Sequence, residues 1–190
     1  MNFLLSKPKL RFRLTRLKLR LNRAKKRRAG LHRDLGKKAW LGRIEPSRFE
    51  SLYRELELLE RSLERGQAEL TESRVRSLSS QARLDELRLR RKSLLREREE
   101  GRGFDAQAFR QAKDEEIRLK KEAKGLKRAV EAGESQTRRL AALKEDRFLD
   151  LGEKVDERRL DHPDLALLYA EIDKLNRTIV AYLDQIDALR

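Results

Sequence analysis

The chain has 190 residues, and 121 of them are Ala, Glu, Lys, Leu or Arg, a composition typical of long helices and coiled coils. It contains no Cys, which excludes disulfides and cysteine-based zinc sites, and no apolar run of 18 residues, which excludes a transmembrane helix. The formal net charge of +15 lies in residues 1–43, which hold 16 Lys and Arg and one acidic residue, Asp34. We expect a cytoplasmic protein that can lie peripherally at a membrane.

Four helices are predicted, because apolar residues recur at alternating spacings of three and four. They cover approximately residues 7–43, 47–99, 105–151 and 163–190. Helix 1, the basic first helix, carries its main apolar seam on five residues: Leu10, Leu14, Leu17, Leu21 and Ala24.

The breaks between these helices are predicted from local signals. Pro46 and Pro163 fall at helix starts, where proline is tolerated because the N–H of the first turn has no intrahelical partner. Ser47 and Glu50 match the capping-box spacing, and the breaker Gly101-Arg102-Gly103 predicts a turn at 101–104. A polar stretch at Ser73–Gln81 predicts a looser or kinked segment in helix 2.

An internal repeat is predicted from the alignment of residues 31–74 with residues 147–190, at an offset of 116. Eleven of the 44 aligned residues are identical, including the patterns Asp-Leu-Gly-x-Lys and Leu-Tyr-x-Glu. The apolar seams of the two segments also stay in phase, which indicates a duplicated helix–elbow–helix unit. Gly36 and Gly152 correspond, and we expect them to permit a close helix approach or a bend.

The predicted fold is all-α, a single elongated domain over residues 1–190 made of long antiparallel coiled-coil hairpins. Helix 1 folds back along helix 2, and helix 4 folds back along helix 3. This arrangement gives a four-helix base and a two-helix tip at residues 83–123. Narrow apolar seams of this kind also predict a homo-oligomer.

No catalytic residue is predicted, and we expect no enzyme activity, no metal, no cofactor and no small-molecule substrate. The segment Gly30–Lys38 has five residues between its glycines where a phosphate-binding loop has four, and Lys38 where that loop has Ser or Thr. His32 and His162 are single histidines, for which packing or surface roles are expected.

The basic first helix is predicted to dock on an anionic partner. Residues 1–43 form a basic arm whose charges are almost all positive, and such a segment attracts polyanions. An acidic membrane surface, an acidic protein or an acidic face of a second copy is expected, and sequence-independent nucleic-acid binding is the alternative. The predicted anion contacts are Arg11, Arg13, Arg16, Lys18, Arg20, Arg23, Lys25, Lys26, Arg27 and Arg28. The predicted membrane contacts are Phe3, Leu4, Leu5, Phe12 and Leu19.

Two further possibilities remain open from the sequence. The tip is a second candidate contact surface, with Arg88, Arg91, Lys92, Arg96 and Arg102 as its predicted contacts. The charge of helix 1 could instead be neutralised internally by residues 50–72 of helix 2, which carry seven glutamates. These seven acids are fewer than the 16 bases of the arm, so an excess of positive charge would still remain.

Overall fold

A computed structural model describes residues 7–101 and 103–189 of the chain, without the side chains of residues 7–9. In that part of the chain all regular elements are helical: α1 (Lys7–Leu41), a short 3-10 helix (Pro46–Phe49), α2 (Glu50–Glu99), α3 (Ala106–Arg158) and α4 (Pro163–Asp187). The predicted all-α class with four long helices is therefore confirmed. The arrangement with a four-helix base and a two-helix tip stays a prediction.

The helices divide between two compact units. The first unit combines the chain up to Leu59 with the chain from Ala142 onward, and the second unit is Glu60–Ala141. The first unit therefore contains α1, α4, the start of α2 and the end of α3. The second unit contains the rest of α2 and α3.

The starts of α3 and α4 follow from local side-chain chemistry. The Asp105 carboxylate accepts hydrogen bonds from the backbone N–H groups of Gln107 and Ala108, at 3.0 and 2.9 Å, and so satisfies two donors of the first turn of α3. Before α4, the His162 ring nitrogen Nδ1 accepts a bond from the backbone N–H of Asp164 at 3.3 Å. Both starts lie within two residues of the predicted positions.

The predicted capping box at Ser47 is wrong. Glu45 takes a left-handed backbone conformation with φ 45°, and no side chain caps the 3-10 helix that follows. The Arg48 N–H bonds the Glu45 carbonyl at 3.0 Å, so the chain turns tightly. This tight turn brings Phe49, which is 4% exposed, into the core directly before α2, and tertiary packing replaces a side-chain cap.

The predicted end of helix 3 at residue 151 is also wrong, because α3 continues to Arg158. Of the two roles predicted for Gly152, a close helix approach or a bend, the structure shows the close approach, which is to α1. A Cβ added at Gly36 would overlap the carbonyl oxygen of Phe148, and a Cβ added at Gly152 would overlap the carbonyl oxygen of His32. Backbones this close require glycine at both positions.

The first unit has two elbows, residues 42–45 between α1 and the 3-10 helix and residues 159–162 between α3 and α4. Their contacts correspond at the offset of 116. Arg43 and Arg159 both have positive φ, 49° and 47°. Arg43 bonds Glu57 at 2.8 Å, and Arg159 bonds Asp173 at 3.1 Å. The two segments aligned in the sequence therefore have equivalent local geometry, while their common origin stays a prediction.

A tyrosine closes each of these elbows, and Tyr53 is buried while Tyr169 is half-buried. The Tyr53 hydroxyl donates to the Ala39 carbonyl oxygen at 2.7 Å, and the Tyr169 hydroxyl lies 3.3 Å from the Val155 carbonyl oxygen. Both tyrosines belong to the repeated Leu-Tyr-x-Glu pattern, and burial raises the pKa of each above its ordinary value. Each hydroxyl thus satisfies a carbonyl near the end of a long helix, where intrahelical donors run out.

The N-terminal part of the apolar seam of α1 packs on α4, while its C-terminal part shares a core with α2 through Leu35 and Leu56. Beyond that core, the packing of helix 1 along helix 2 stays a prediction. Leu17, Leu21 and Ala24 form a buried cluster with Ile179 and Ile186. A heptad seam requires a partner helix but does not specify which one. The core at the elbows is larger and includes four fully buried leucines: Leu35, Leu56, Leu151 and Leu165.

The second unit is built from two helical segments that run in opposite directions. Gly66 of α2 lies near Thr137 of α3, Arg74 bonds Glu134 at 2.7 Å, and Arg83 bonds Glu115 at 2.9 Å. As the residue numbers along α2 rise, the residue numbers of the contact partners on α3 fall. The two segments are therefore antiparallel. The polar stretch Ser73–Gln81 lies within the continuous helix α2.

Candidate anion-binding surface

The outward face of α1 carries two exposed apolar residues. An α-helix turns about 100° per residue, so Phe12 and Leu19 lie on the side opposite Leu17, Leu21 and Ala24. Phe12 is 73% exposed and Leu19 is 54% exposed. We call this pair the outer stripe. Both residues fall outside the predicted apolar seam, and their exposure agrees with that position.

Basic side chains border the outer stripe on both sides. Helical spacing places Arg13, Arg16, Arg20, Arg23 and Arg27 on one flank and Arg11, Lys18, Lys25 and Lys26 on the other. All nine are exposed, while Arg28 is half-buried beside α4. The outward face of α1 is therefore an apolar centre between two cationic borders.

Few of these bases have an acidic partner. Arg27 lies 3.7 Å from Glu171, and Arg28 donates to the Asn176 side chain at 3.1 Å. Among the residues that the structure describes, none of the other eight bases predicted to contact the anion forms an ion pair. Their charge is left for solvent or for a partner.

The alternative of neutralisation by residues 50–72 can be compared with the ion pairs of Glu50, Glu55 and Glu57, which lie in the first unit together with α1. Arg43, at the end of the basic arm, does pair with Glu57. The other ion pairs resolved in this stretch join Glu50 to Arg54, Glu72 to Arg76 and Glu55 to Arg147, all outside the arm. The apolar seam explains this result, because it turns the N-terminal part of α1 toward α4.

Two depressions lie beside the basic side chains of α1. The larger one, about 510 Å³, lies between α1 and α4 and is lined by nine residues: Arg20, Arg23, Ala24, Arg27, Glu171, Lys174, Leu175, Thr178 and Tyr182. We call it the α1–α4 groove. The second depression, about 430 Å³, lies on α1 itself and is lined by Leu19, Asn22, Arg23, Lys25 and Lys26. Arg23 borders both depressions.

Several predicted contacts lie outside this surface. Phe3, Leu4 and Leu5, and Arg102 of the predicted tip, fall outside the described residues. Lys92 and Arg96 of the second unit are exposed. Arg88 and Arg91 are instead engaged within the second unit, where both approach Glu116. These two are therefore less available to a partner than the bases of α1.

Glu116 is a buried carboxylate that the sequence analysis did not single out. It is 4% exposed, and it lies between Ala112 and Leu119 on the apolar side of α3. Lys120 Nζ approaches its Oε1 at 2.7 Å, Arg91 forms a second close ion pair, and Arg88 Nε lies 3.9 Å away. Hydrogen bonds from Lys120 and Arg91 lower its pKa from 4.5 to about 2. An acidic residue at a seam position was a detectable signal in the sequence.

This lowered pKa predicts a loss of stability in acid. The fold favours the ionised carboxylate, so its contribution is complete above pH 4.5 and is lost as the pH falls from 4.5 toward 2. We expect the free energy of unfolding, measured with urea and circular dichroism, to fall less between pH 6 and pH 3 in Glu116→Gln than in the original chain.

The neighbouring residue Glu115 offers a matched control for this measurement. Its side chain is 42% exposed and pairs with Arg83, so Glu115→Gln also removes one carboxylate from a cross-helix pair. We expect Glu115→Gln to keep the steep acid loss of the original chain. An equal acid loss in Glu116→Gln and the original chain would contradict the assignment to Glu116.

His32 is another buried polar residue, and it lies in the first unit. It is 6% exposed, and its Nε2 lies 3.2 Å from Asp156 while its Nδ1 lies 3.8 Å from Glu153. Its role is thus a packing contact between α1 and α3, as expected for a single histidine. Within the described ranges no group of three or more acidic or histidine side chains could hold a metal ion.

Across the same ranges, no helix combines the length and the apolar character needed to cross a membrane. Comparison of the chain with protein-family models, with curated proteins and with solved structures finds no match. The function must therefore be inferred from the geometry of the chain itself.

Proposed function

We propose that this chain is a non-enzymatic interaction and assembly protein, built of antiparallel coiled-coil hairpins, whose first helix docks on an acidic membrane surface. The observation that carries the proposal is the outer stripe of Phe12 and Leu19 between two borders of exposed bases. Helices that lie in the membrane interface combine an apolar face with flanking Lys and Arg. Self-association, which the sequence also predicts, stays a prediction.

The energetics favour a lipid surface over a purely ionic partner. Each Lys or Arg near an anionic leaflet contributes about 1 kcal/mol, and this attraction is screened by salt. Burying a Phe or Leu side chain adds about 1.5–3 kcal/mol that salt does not screen. A nucleic-acid backbone would contact the basic side chains of α1 but would leave Phe12 and Leu19 exposed to water.

Removal of the outer stripe without a change of charge tests the proposal. The full chain is sedimented at physiological salt with vesicles of phosphatidylcholine containing phosphatidylglycerol, and with vesicles of phosphatidylcholine alone. We expect binding to the acidic vesicles only, weakened more than about 100-fold by the double substitution Phe12→Ser and Leu19→Ser.

A matched control is available on α4. Leu167 and Val180 are 78% and 54% exposed, close to the values for Phe12 and Leu19, and neither lines the two depressions beside the basic side chains of α1. The double substitution Leu167→Ser and Val180→Ser should leave vesicle binding unchanged. Equal loss in the two double variants would contradict the role of the outer stripe.

The alternative partners are separated by the same set of variants. Duplex DNA and structured RNA are tested at the same salt concentration. If the chain binds nucleic acid but not acidic vesicles, and the Phe12→Ser and Leu19→Ser variant binds nucleic acid as well as the original chain does, the membrane proposal is wrong. If it binds neither, an acidic protein face becomes the better hypothesis.

A further inference from the structure

The α1–α4 groove is a cationic concavity of the first unit. Arg20, Arg23 and Arg27 stand at spacings of three and four on α1, so their side chains share one wall of the groove. Lys174 faces them from α4, and Glu171 is the single acidic residue of the lining. Four bases against one acid leave a net positive groove.

The cationic groups of this groove are largely free to bind an anion. Arg27 lies 3.7 Å from Glu171, longer than a normal charged hydrogen bond, and both side chains are more than half exposed. Arg20 and Arg23 have no acidic partner among the described residues. A bound anion would therefore gain new contacts here without breaking a strong internal ion pair.

The geometry of the lining selects the kind of anion. A guanidinium group presents a planar fork of donors that matches two oxygens of a phosphate. A phosphomonoester carries a charge of roughly −1.5 to −2 and three terminal oxygens, enough to engage several bases at once. A phosphodiester carries one charge and two such oxygens, so it satisfies fewer of the converging donors.

The position of the groove connects it with the membrane-facing side of α1. Arg23 lines both the α1–α4 groove and the neighbouring depression that contains Leu19 of the outer stripe. Ala24, Leu175 and Tyr182 add apolar surface to the groove wall. A ligand that carries a phosphate group directly beside an apolar body fits this arrangement.

We infer that the α1–α4 groove binds the phosphomonoester headgroup of an acidic lipid, an inference that rests on the membrane docking proposed above. Arg20, Arg23 and Arg27 hold the phosphate oxygens, and Lys174 adds charge from the opposite wall. The outer stripe meanwhile enters the lipid layer beside the headgroup. The groove thereby gives the first helix a preference among acidic lipids.

The test compares phosphatidic acid, a phosphomonoester, with phosphatidylglycerol, a phosphodiester, in vesicles adjusted to equal surface charge. We expect the full chain to bind phosphatidic acid vesicles about tenfold more tightly. The double substitution Arg20→Gln and Arg23→Gln should remove this preference. Lys18→Gln with Lys25→Gln, which removes the same charge from the other flank, should weaken binding to both lipids equally and keep the preference.

A soluble probe distinguishes a lipid ligand from a free phosphate ester. Glycerol 3-phosphate, but not glycerol, should shift the amide resonances of Arg20, Arg23 and Lys174 in nuclear magnetic resonance spectra. Such shifts without a lipid preference would overturn the lipid assignment and leave a soluble phosphomonoester as the ligand. The absence of both effects would overturn the groove inference as a whole.

The two proposals fail in different ways. Binding to both kinds of acidic vesicle with equal affinity, still dependent on Phe12 and Leu19, refutes the headgroup preference and leaves the membrane docking intact. No binding to either kind of acidic vesicle refutes the membrane docking itself. Circular dichroism of each variant verifies that the fold is unchanged, as expected because the substituted side chains are exposed.

Discussion

The substitution Gly36→Ala should destabilise the first unit by more than about 3 kcal/mol, beyond the usual cost of an overpacked side chain. The added methyl group would occupy the place of the Phe148 carbonyl oxygen, which belongs to a neighbouring helix backbone. A flexible side chain could move aside at little cost, but a backbone carbonyl moves only if α1 and α3 separate. Gly152→Ala should have a similar effect, because its methyl group would overlap the His32 carbonyl oxygen.

The free energy of unfolding of the first unit can be followed through a single fluorophore. Trp40 is the only tryptophan of the chain; it is 6% exposed and its ring centroid lies 5.2 Å from that of Tyr53. Its fluorescence during urea unfolding therefore reports on the elbow core. Gly36→Ala should shift the midpoint to much lower urea, or leave the indole exposed without urea.

Gly30→Ala is the matched control in the same helix. A Cβ at Gly30 would meet no atom within 4 Å, and alanine is a better helix former than glycine by about 0.5–1 kcal/mol. We therefore expect Gly30→Ala to stabilise the chain slightly. If Gly36→Ala unfolded at the same urea concentration as Gly30→Ala, the close contact of α1 with α3 would be wrong.

Much of the helical organisation could be predicted because its signals are local. Pro46, Pro163 and Asp105 each mark a helix start through their own backbone or side-chain chemistry, and the structure places starts within a few residues of them. The end of α3 could not be predicted in the same way. The sequence allows Gly152 either a bend or a close helix approach, and only its contact with α1 decides for the approach within a continuous helix.

The candidate surface shows the same division between local and non-local information. Helical spacing alone placed Phe12 and Leu19 away from the seam and placed the bases around them. The sequence did not predict that Lys174 faces Arg20 and Arg27, because this depends on α4 being the neighbour of α1. The α1–α4 groove is therefore a tertiary feature with no signature in either helix by itself.

Glu116 is an acidic residue on the apolar side of α3, and the sequence alone shows that position. Ala112, Leu119 and Ala123 predict the buried side of α3 by their spacing, and Glu116 falls on the same side. An acidic residue at such a position requires cationic partners when it is buried. Naming Arg91 as its partner also requires the register of the two antiparallel segments, which the sequence pattern alone does not fix.

Leu165→Ala is expected to have the second large effect, a loss of about 3 kcal/mol in the free energy of unfolding of the first unit. Leu165 is 0% exposed in the first turn of α4, within the cluster that contains Leu56, Leu151 and Ile172. Its truncation leaves a cavity between helices that already meet through close backbone contacts. Because the two glycines hold α1 against α3, we expect the elbow core to close around this cavity only in part.

Leu167, two residues further along α4 and 78% exposed, gives the comparison that separates burial from helix propensity. Leu167→Ala makes the same chemical change in the same helix, yet should alter the free energy of unfolding by no more than about 0.5 kcal/mol. Trp40 fluorescence during urea unfolding measures both variants under one condition. Similar midpoints for Leu165→Ala and Leu167→Ala would mean that the start of α4 is not packed in the core, and the elbow geometry would then be incorrect.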